Sequence, residues 1–445
     1  MDITMSGTEH AENSEARRVK RVGLAVAMLT CAAFLIQFFN KVVGTYLPYG
    51  ALVFAAILVL LLPARKLCIS TSFYVSILWI PFLCLVFLHL TSGDFSMNSA
   101  LDLLTYFTGT VFVFTVGNDS SVFEKAIRVI IIAASIYAIS VFIQLLLPPL
   151  FRLYLSLLRG NAGSKVLTYR SKYGKLTGFS TNPGFTAGHI VSGLLAYIAL
   201  FLGREKRLSR TDWGLIIVMF GALILTGKRG HLLGVVFAGL VCYLINSADN
   251  KRMRVVSICL IAAAVIIPFM LVFGETLMAI PGVGRFAELF VGLINGEDVT
   301  SGRSRLYVYA VKQFLAHPLF GIGWGEFRSS IVGVVTVQTE LEVHNIYLQL
   351  LCETGLIGFA CAVLPMAAFL KKALSNLISL NRRGVRNGTI KIVALFSLGY
   401  QLFFLLYGVS GNPLYDYNYV ILYFISCAMT ATVYREMRIE NRESI

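Results

Sequence analysis

The sequence predicts an all-α polytopic membrane protein with about twelve transmembrane helices and two long outer loops. Of its 445 residues, 57% are hydrophobic and only 14% are charged, whereas a soluble chain is about a quarter charged. The mean hydropathy is +0.76. Apolar runs of about 18 or more residues recur along the whole chain, and each is long enough to cross a hydrocarbon core as a helix. This composition excludes a soluble globular fold.

The first apolar run follows the basic stretch RRVKR and resembles a signal peptide, but no small-residue cleavage site closes it. We expect it to be retained as the first span. The eight cysteines all lie inside or at the edges of apolar runs, which predicts neither a disulfide framework nor a zinc site.

Twelve helices are predicted, with both termini on one side of the membrane. They cover residues 22–39, 48–63, 68–90, 101–117, 127–148, 184–203, 212–227, 231–247, 254–274, 345–370, 390–410 and 417–434. The predicted organisation is an N-terminal tail (1–21), five helices (22–148), an outer basic loop (149–183), four helices (184–274), a large outer loop (275–344), three helices (345–434) and a C-terminal tail (435–445).

The distribution of Lys and Arg predicts the orientation, because cytoplasmic loops carry an excess of both. With the N-terminus inside, the inner segments hold 24 of the 38 basic residues and the outer segments hold 14. Thirteen of those 14 lie in the 149–183 loop, the TGKRGH break and the 275–344 loop. Long outer loops tolerate basic residues, so one interpretation is that these charges have no function. The other is an outward-facing anion site, since guanidinium groups suit phosphate and pyrophosphate.

The 149–183 loop interleaves cations with aromatic rings. Its cations are Arg152, Arg159, Lys165, Arg170, Lys172 and Lys175, and its tyrosines are Tyr154, Tyr169 and Tyr173. This combination suits a sugar attached to a phosphate, because an aromatic ring can stack on the sugar while a cation binds the phosphate. An interfacial segment at the lipid headgroups stays open as the alternative.

Two further basic stretches adjoin predicted helices. In LTGKRGHLLG, Lys228 and Arg229 lie between Gly227 and Gly230, which predict a helix hairpin. In the large loop, helical spacing predicts a helix on or near the membrane surface, with a glycine-rich bend, GIGWG, after it. The apolar face of that helix would comprise Leu306, Ala310, Val311, Phe314 and Leu315, with Arg303 and Arg305 at its start and Pro318 as its stop.

His344 and Asn345 mark the start of the tenth predicted span, with Glu353 about two turns deeper. Histidine is suited to proton transfer near neutrality, and glycosyl transfer requires a group that takes the proton of the acceptor hydroxyl. An interfacial histidine satisfied by headgroups and backbone is the alternative.

The signatures of several other chemistries are absent from the sequence. It contains no DxD, QxxRW, Walker A or HExxH motif, which argues against nucleotide-sugar and ATP-driven reactions. The spans hold few acidic residues, with Asp102 and Glu353 near span ends, whereas an ion-coupled transporter usually carries carboxylates at mid-membrane. Transport is therefore the less favoured class.

At this point the chain resembles the O-antigen ligase and polysaccharide polymerase superfamily of bacterial envelope glycan assembly. His344, Asn345, Gly355 and Gly358 meet the spacing of the ligase pattern, and GRSRLYVYAVKQFLAHPLFGIGWGEF is similar to the segment before the family histidine. LTGKRGHLL is similar to the family hairpin, with Lys228 in place of the usual serine. The resemblance covers about residues 165 to 360.

The resemblance implies a GT-C-like fold and a metal-independent glycosyltransferase without cofactors, in the bacterial inner membrane with cytoplasmic termini. The implied donor is an undecaprenyl-pyrophosphate-linked glycan, and the acceptor is a second glycan or lipid A core. A chain-length regulator is a further implied partner, and nucleic acid is not. The expected catalytic residues are His344, Arg303 and Arg305, and the expected substrate-binding residues are Arg170, Lys172, Arg229, Lys228, Asn345, Glu353, Arg152 and Arg285.

Three activities stay open within this class of membrane protein. A polymerase adds glycan to another lipid-linked repeat unit, a ligase transfers it to lipid A core, and a flippase moves lipid-linked glycan across the membrane. Arg152 with Gly163 and Arg285 with Gly296 both fit an Arg-x10-Gly pattern described for polymerases. We therefore favour the polymerase.

Overall fold

The fold is known from a computed structural model, in which the described residues form helices and turns only. It describes residues 22–35, 38, 41–42, 79–92, 97–115, 119–204, 207–247, short pieces between 253 and 278, 284–296, 302–332, 334, 341–385 and 387–443. The helices are α1 Val22–Leu35, α2 Trp79–Ser92, α3 Met97–Thr115, α4 Ser120–Leu146, α5 Pro148–Leu157, α6 Ala162–Tyr173, α7 Pro183–Gly203, α8 Arg210–Leu225, α9 Arg229–Asn246, α10 Gly284–Asn295, α11 Ser304–Ala316, α12 Phe327–Ser330, α13 Ile346–Arg382, α14 Thr389–Gly408 and α15 Tyr417–Glu443.

Five described helices, α4, α7, α9, α13 and α14, are long and apolar enough to cross a membrane, and α1, α2 and α3 are shorter apolar helices. This confirms an all-helical, multi-pass membrane protein over the described ranges. Most predicted spans coincide with a helix, although α13 extends to Arg382, well past the predicted end at residue 370. The predicted span 48–63 and most of 254–274 lie outside the described residues, so the count of twelve stays a prediction.

The helices pack around α14, which contacts α4, α7, α9, α13 and α15. At one end of the bundle, Gly388 N donates to Gly203 O at 2.9 Å and Arg383 Nη1 donates to Met437 O at 3.1 Å. The segments predicted to be inner therefore meet at this end. The segments predicted to be outer meet at the opposite end, here called the cavity end. Which compartment each end faces stays a prediction.

The predicted outer loop 149–183 is largely helical, because α5 and α6 occupy it. α5 exposes Leu150, Leu153 and Leu157 by 51%, 64% and 53%, which suits a helix lying at a lipid surface. The STNPG stretch ends the loop, since the side chain of Asn182 accepts from Gly184 N at 2.8 Å and caps α7.

Candidate functional site

A cavity of about 1040 Å³ lies at the end of the bundle where the segments predicted to be outer meet, and it gives this end its name. Among the described residues, four parts of the chain contribute to its lining, namely 165–185, 227–237, 303–328 with 341–344, and 406–416. All four are or adjoin segments that the sequence predicts to be outer. The charged and imidazole groups in the lining are Lys165, Lys175, Lys228, Arg229, Arg303, Arg328, Glu342, Asp416, His231 and His344. The cavity is therefore strongly basic, as expected of an anion site.

The hairpin between α8 and α9 places two of these cations. Gly227 adopts a φ of 64° in the turn, and α9 begins at Arg229 directly after Lys228. Both side chains line the cavity beside a helix N-terminus, whose dipole also favours an anion. The prediction that Gly230 forms part of the turn is wrong. Gly230 lies inside α9, where an added Cβ would lie 2.6 Å from Ser410 Oγ.

Arg303 lines the cavity at the start of α11, and Arg305 does not. The Arg303 guanidinium donates from Nη1 to the Ser410 carbonyl oxygen at 2.8 Å, which holds it against the segment between α14 and α15. Arg305 is exposed. Two neighbouring arginines that the sequence could not distinguish thus have different surroundings.

A helix, α11, is present where the sequence predicts one, and only part of its predicted apolar face is buried in the protein. Leu306 and Ala310 are buried against Phe327 and its neighbours. Val311 and Leu315 are 41% and 69% exposed. The buried pair positions the start of α11, and with it Arg303, at the cavity.

Within α13 the helix is interrupted at Gly355, which has φ 63° and ψ −169°. We call this position the break. The backbone of residues 318–323 lies against it, and an added Cβ on Gly355 would be 2.3 Å from the Leu319 carbonyl oxygen. The hydrogen bonds across the break run from Leu356 N to Pro318 O (2.8 Å), Ile357 N to Leu319 O (3.2 Å), Ile322 N to Cys352 O (3.0 Å) and Gly323 N to Glu353 O (3.0 Å).

The GIGWG bend therefore serves a structural purpose and does not line the cavity. Its close approach to the break requires a residue without a Cβ at Gly321, because a Cβ there would lie 2.3 Å from the Glu353 carbonyl carbon. Trp324 stacks on Tyr415, with ring centroids 4.5 Å apart and an interplanar angle of 9°. The bend thus connects α13 to the segment before α15.

Glu353 lies just before the break, and its side chain is fully buried. Its carboxylate accepts from Gly325 N at 2.9 Å, Phe327 N at 3.2 Å and Gln349 Nε2 at 3.1 Å, and also from the Tyr415 hydroxyl. It does not line the cavity. Because Phe327 precedes Arg328, Glu353 fixes the backbone that presents Arg328 to the cavity.

Arg328 is a cavity residue that the sequence analysis missed. It forms an ion pair with Glu342, and Asn412 Nδ2 donates to the other Glu342 oxygen, Oε2, at 2.9 Å. The arginine also lies 5.9 Å from the centroid of the Tyr415 ring. The position of Arg328 directly after GIGWGEF was the available signal.

His344 lines the cavity in a strained backbone conformation. Its φ of 58° is the single positive value of a non-glycine residue in the described part of the chain. Such strain often occurs at functional sites. Burial, together with the nearby Arg303, Lys228 and Arg328, lowers the pKa of His344 to about 3. The imidazole is therefore neutral at pH 7 and can accept a proton.

Residues 214–363 match the family model Wzy_C, described as O-Antigen ligase. This chain carries a Wzy_C domain. No curated protein matches the chain significantly. Members of the Wzy_C family are ligases or polymerases that transfer lipid-linked glycans in surface polysaccharide assembly. The match confirms the resemblance inferred from His344, Gly355 and the hairpin.

The Wzy_C segment contains the hairpin cations, Arg303, Arg328 and His344, together with the break. It ends before α14, so the wall formed by residues 406–416 lies outside it. The basic residues of the 149–183 stretch also lie outside it, and of these Lys165 and Lys175 reach the cavity.

Several predicted site residues lie away from the cavity. The side-chain oxygen of Asn345 caps α13 by accepting from Tyr347 N and Leu348 N, both at 3.1 Å. Arg170 donates to the Gln144 carbonyl oxygen at 3.2 Å. Lys172, whose Nζ lies 5.4 Å from the Tyr173 ring centroid, and Arg152, which is exposed, do not line the cavity either. The side chain of Arg285 lies outside the described residues, so its role stays a prediction.

The neighbouring His231 lines the cavity with a fixed partner. Its Nε2 is 2.6 Å from the Tyr419 hydroxyl, which in turn donates to the Gly184 carbonyl oxygen at 2.6 Å. Because the Tyr419 proton goes to that carbonyl, the hydroxyl accepts from His231. Within the described ranges, no three His, Cys, Asp or Glu side chains are grouped in a way that could hold a metal ion.

Proposed function

We propose that this protein is a membrane glycosyltransferase that polymerises undecaprenyl-pyrophosphate-linked repeat units of O-antigen or exopolysaccharide at the outer face of the bacterial inner membrane. The observation that carries the proposal is the neutral, strained His344 in a cavity lined by six cations. A twelve-span, GT-C-like topology with cytoplasmic termini belongs to the same proposal. With this topology, the cavity end would face the outer side of the inner membrane.

The cavity suits each part of such a donor. Lys228, Arg229 and Arg303 offer charge for the pyrophosphate. Leu233 and Phe237 are lining residues that are also 64% and 47% exposed on α9. An apolar, open flank of this kind suits a polyprenyl tail that extends into lipid.

In the proposed step, His344 removes the proton of the acceptor hydroxyl as that oxygen bonds to the anomeric carbon of the donor. The bond from that carbon to the pyrophosphate oxygen breaks, and its electron pair leaves with undecaprenyl pyrophosphate. Fixed cations stabilise the negative charge that develops on the leaving group. His344 then passes its proton to solvent. The bound pyrophosphate would raise the histidine pKa, because its charge offsets that of Arg303 and Lys228.

The second candidate is an O-antigen ligase, which the description of the matching family favours. The Arg-x10-Gly pattern that favours a polymerase gains no support from Arg152, whose side chain is exposed away from the cavity. Both candidates use the same donor and differ in the acceptor.

Deletion of the gene and complementation with wild type or His344→Ala tests the proposal. We expect the variant to reach the membrane at the wild-type level and to leave single repeats attached to lipid A core or carrier. Long glycan accumulating on the undecaprenyl carrier would instead identify a ligase. Normal glycan in the His344→Ala strain would overturn the role of His344.

A further inference from the structure

One wall of the cavity differs in character from the rest. The segment 409–416 between α14 and α15 carries no Lys or Arg and contributes Ser410, Asn412 and Asp416 to the lining. Glu342 belongs to the same wall, because Asn412 Nδ2 donates to its Oε2 at 2.9 Å. We call Glu342, Asn412 and Asp416 the acidic wall. It faces a lining that is otherwise rich in cations.

Asn412 has a buried side-chain oxygen to which no described residue donates a hydrogen bond. The residue is only 2% exposed. Its Nδ2 donates to Glu342 and to Gln349, which fixes the amide orientation, since both partners are acceptors. Its Oδ1 has no hydrogen-bond partner among the residues that the structure describes. Buried acceptors are almost always satisfied in folded proteins, so this oxygen indicates a ligand that supplies an O–H or N–H group.

The carboxyl group of Asp416 is a second group in this wall that can form hydrogen bonds with sugar hydroxyls. Over the described part of the chain, no donor forms a hydrogen bond with its carboxyl group. Burial and the nearby Glu342 raise the pKa of Asp416 to about 8, against the opposing effect of Arg328 and Lys228. A protonated carboxyl group both donates and accepts hydrogen bonds, as a sugar hydroxyl does.

We propose that the acidic wall binds hydroxyl groups of the acceptor sugar beside His344. This inference rests on the proposed function. A pyrophosphate avoids a wall that carries carboxyl groups, whereas neutral hydroxyls donate to them readily. Glu342 precedes His344 by two residues, so a sugar held by the wall lies near the group that takes its proton. The ion pair with Arg328 keeps the Glu342 carboxylate in place.

The test compares Asn412→Ala and Asp416→Ala with wild type in lipid nanodiscs. Glu440→Gln is the matched control, because Glu440 is 65% exposed and pairs only loosely with Arg383 at 3.9 Å. It also lies about 36 Å along α15 from Asp416, at 1.5 Å per residue. The probes are undecaprenyl pyrophosphate and the oligosaccharide released by mild acid from the producing strain's lipid-linked glycan.

Each alanine variant should bind the oligosaccharide about tenfold more weakly, as expected for the loss of one well-placed hydrogen bond. Their affinity for undecaprenyl pyrophosphate and both affinities of Glu440→Gln should stay at the wild-type value. Asp416→Asn should restore oligosaccharide binding at pH 7, because the amide also donates and accepts. If Asn412→Ala does not fold, the two Asp416 variants decide the outcome.

Unchanged oligosaccharide affinity in the alanine variants would overturn the acidic wall as a sugar site and leave the proposed function standing. A wild-type protein that does not bind undecaprenyl pyrophosphate would overturn the proposed function itself. A third measurement uses a donor whose anomeric oxygen is replaced by a methylene group. Displacement of the oligosaccharide by this donor would overturn the acceptor assignment, whereas simultaneous binding supports it.

Discussion

His344 and Glu353 lie nine residues apart, on either side of the start of α13, yet their surroundings are opposite. His344 is half-buried, strained and directed by its position toward a cavity of cations. Glu353 is fully buried, and its carboxylate accepts four hydrogen bonds, including one from Tyr415. The difference teaches that one short stretch of sequence can place one polar side chain in a cavity and use another to hold the backbone together. The number of hydrogen bonds that each side chain forms within the protein distinguishes the two residues better than the residue type does.

The largest effect that separates the two concerns catalysis. His344→Asn keeps a residue that tolerates the left-handed region and removes the base, so glycan transfer should fall about 100- to 10,000-fold with an unchanged melting temperature. Glu353→Gln places an amide where donors converge and should lower the free energy of unfolding by about 1–3 kcal/mol. Transfer assays and thermal melts of the purified proteins measure both. A His344→Asn protein that melts early with normal transfer would reverse the comparison.

The neighbouring arginines Arg303 and Arg305 test whether the cavity is the site of transfer. Arg303→Ala should reduce transfer about 100-fold, because a cation near the leaving group is lost. Arg305→Ala should change transfer by no more than about twofold, since an exposed side chain is removed. Initial rates at fixed donor concentration measure the difference. Equal losses in the two variants would show that the placement of α11 is wrong.

Two glycines with similar φ values test the structural role of the break. Gly355 has φ 63° and a backbone oxygen 2.3 Å from an added Cβ, whereas Gly384 has φ 75° and no described atom within 4 Å of an added Cβ. Gly384→Ala should cost about 1 kcal/mol of unfolding free energy, from backbone strain alone. Gly355→Ala should cost about 4 kcal/mol or prevent folding, because the 318–323 segment must move. Thermal melts compare them, and similar melting temperatures would argue against the break.

The smallest expected effect is on pH dependence. The His344 pKa of about 3 lies below its ordinary 6.5, so the unfolded chain binds a proton between these values and the folded chain does not. The contribution of His344 to stability is therefore full above pH 6.5 and is lost as the pH falls toward 3. In kinetics, kcat/KM should show no acid limb from His344 between pH 5 and 7. An acid limb there that disappears in His344→Asn would contradict this placement.

Long apolar runs predicted most of the described spans, because a chain that crosses lipid must satisfy its own backbone as a helix. α7, α9 and α14 coincide with their predicted spans to within two residues. The charge distribution predicted that the hairpin, Arg303 and His344 would share one end. It could not distinguish Arg303 from Arg305, nor find Asn412 and Asp416 in a loop without basic residues. Those differences depend on contacts between distant segments, which local patterns do not encode.

The break in α13 also has a consequence for how the chain assembles. Buried backbone groups left without hydrogen-bond partners are costly, and beside Gly355 those partners come from residues 318–323. That segment is synthesised before α13 and cannot find its partners until α13 emerges. Trp324 of the bend stacks in turn on Tyr415, and these two residues lie on either side of α13 and α14 in the sequence. Biogenesis should therefore finish in one late cooperative event, and a chain truncated before residue 415 should be recognised by quality control as unfinished.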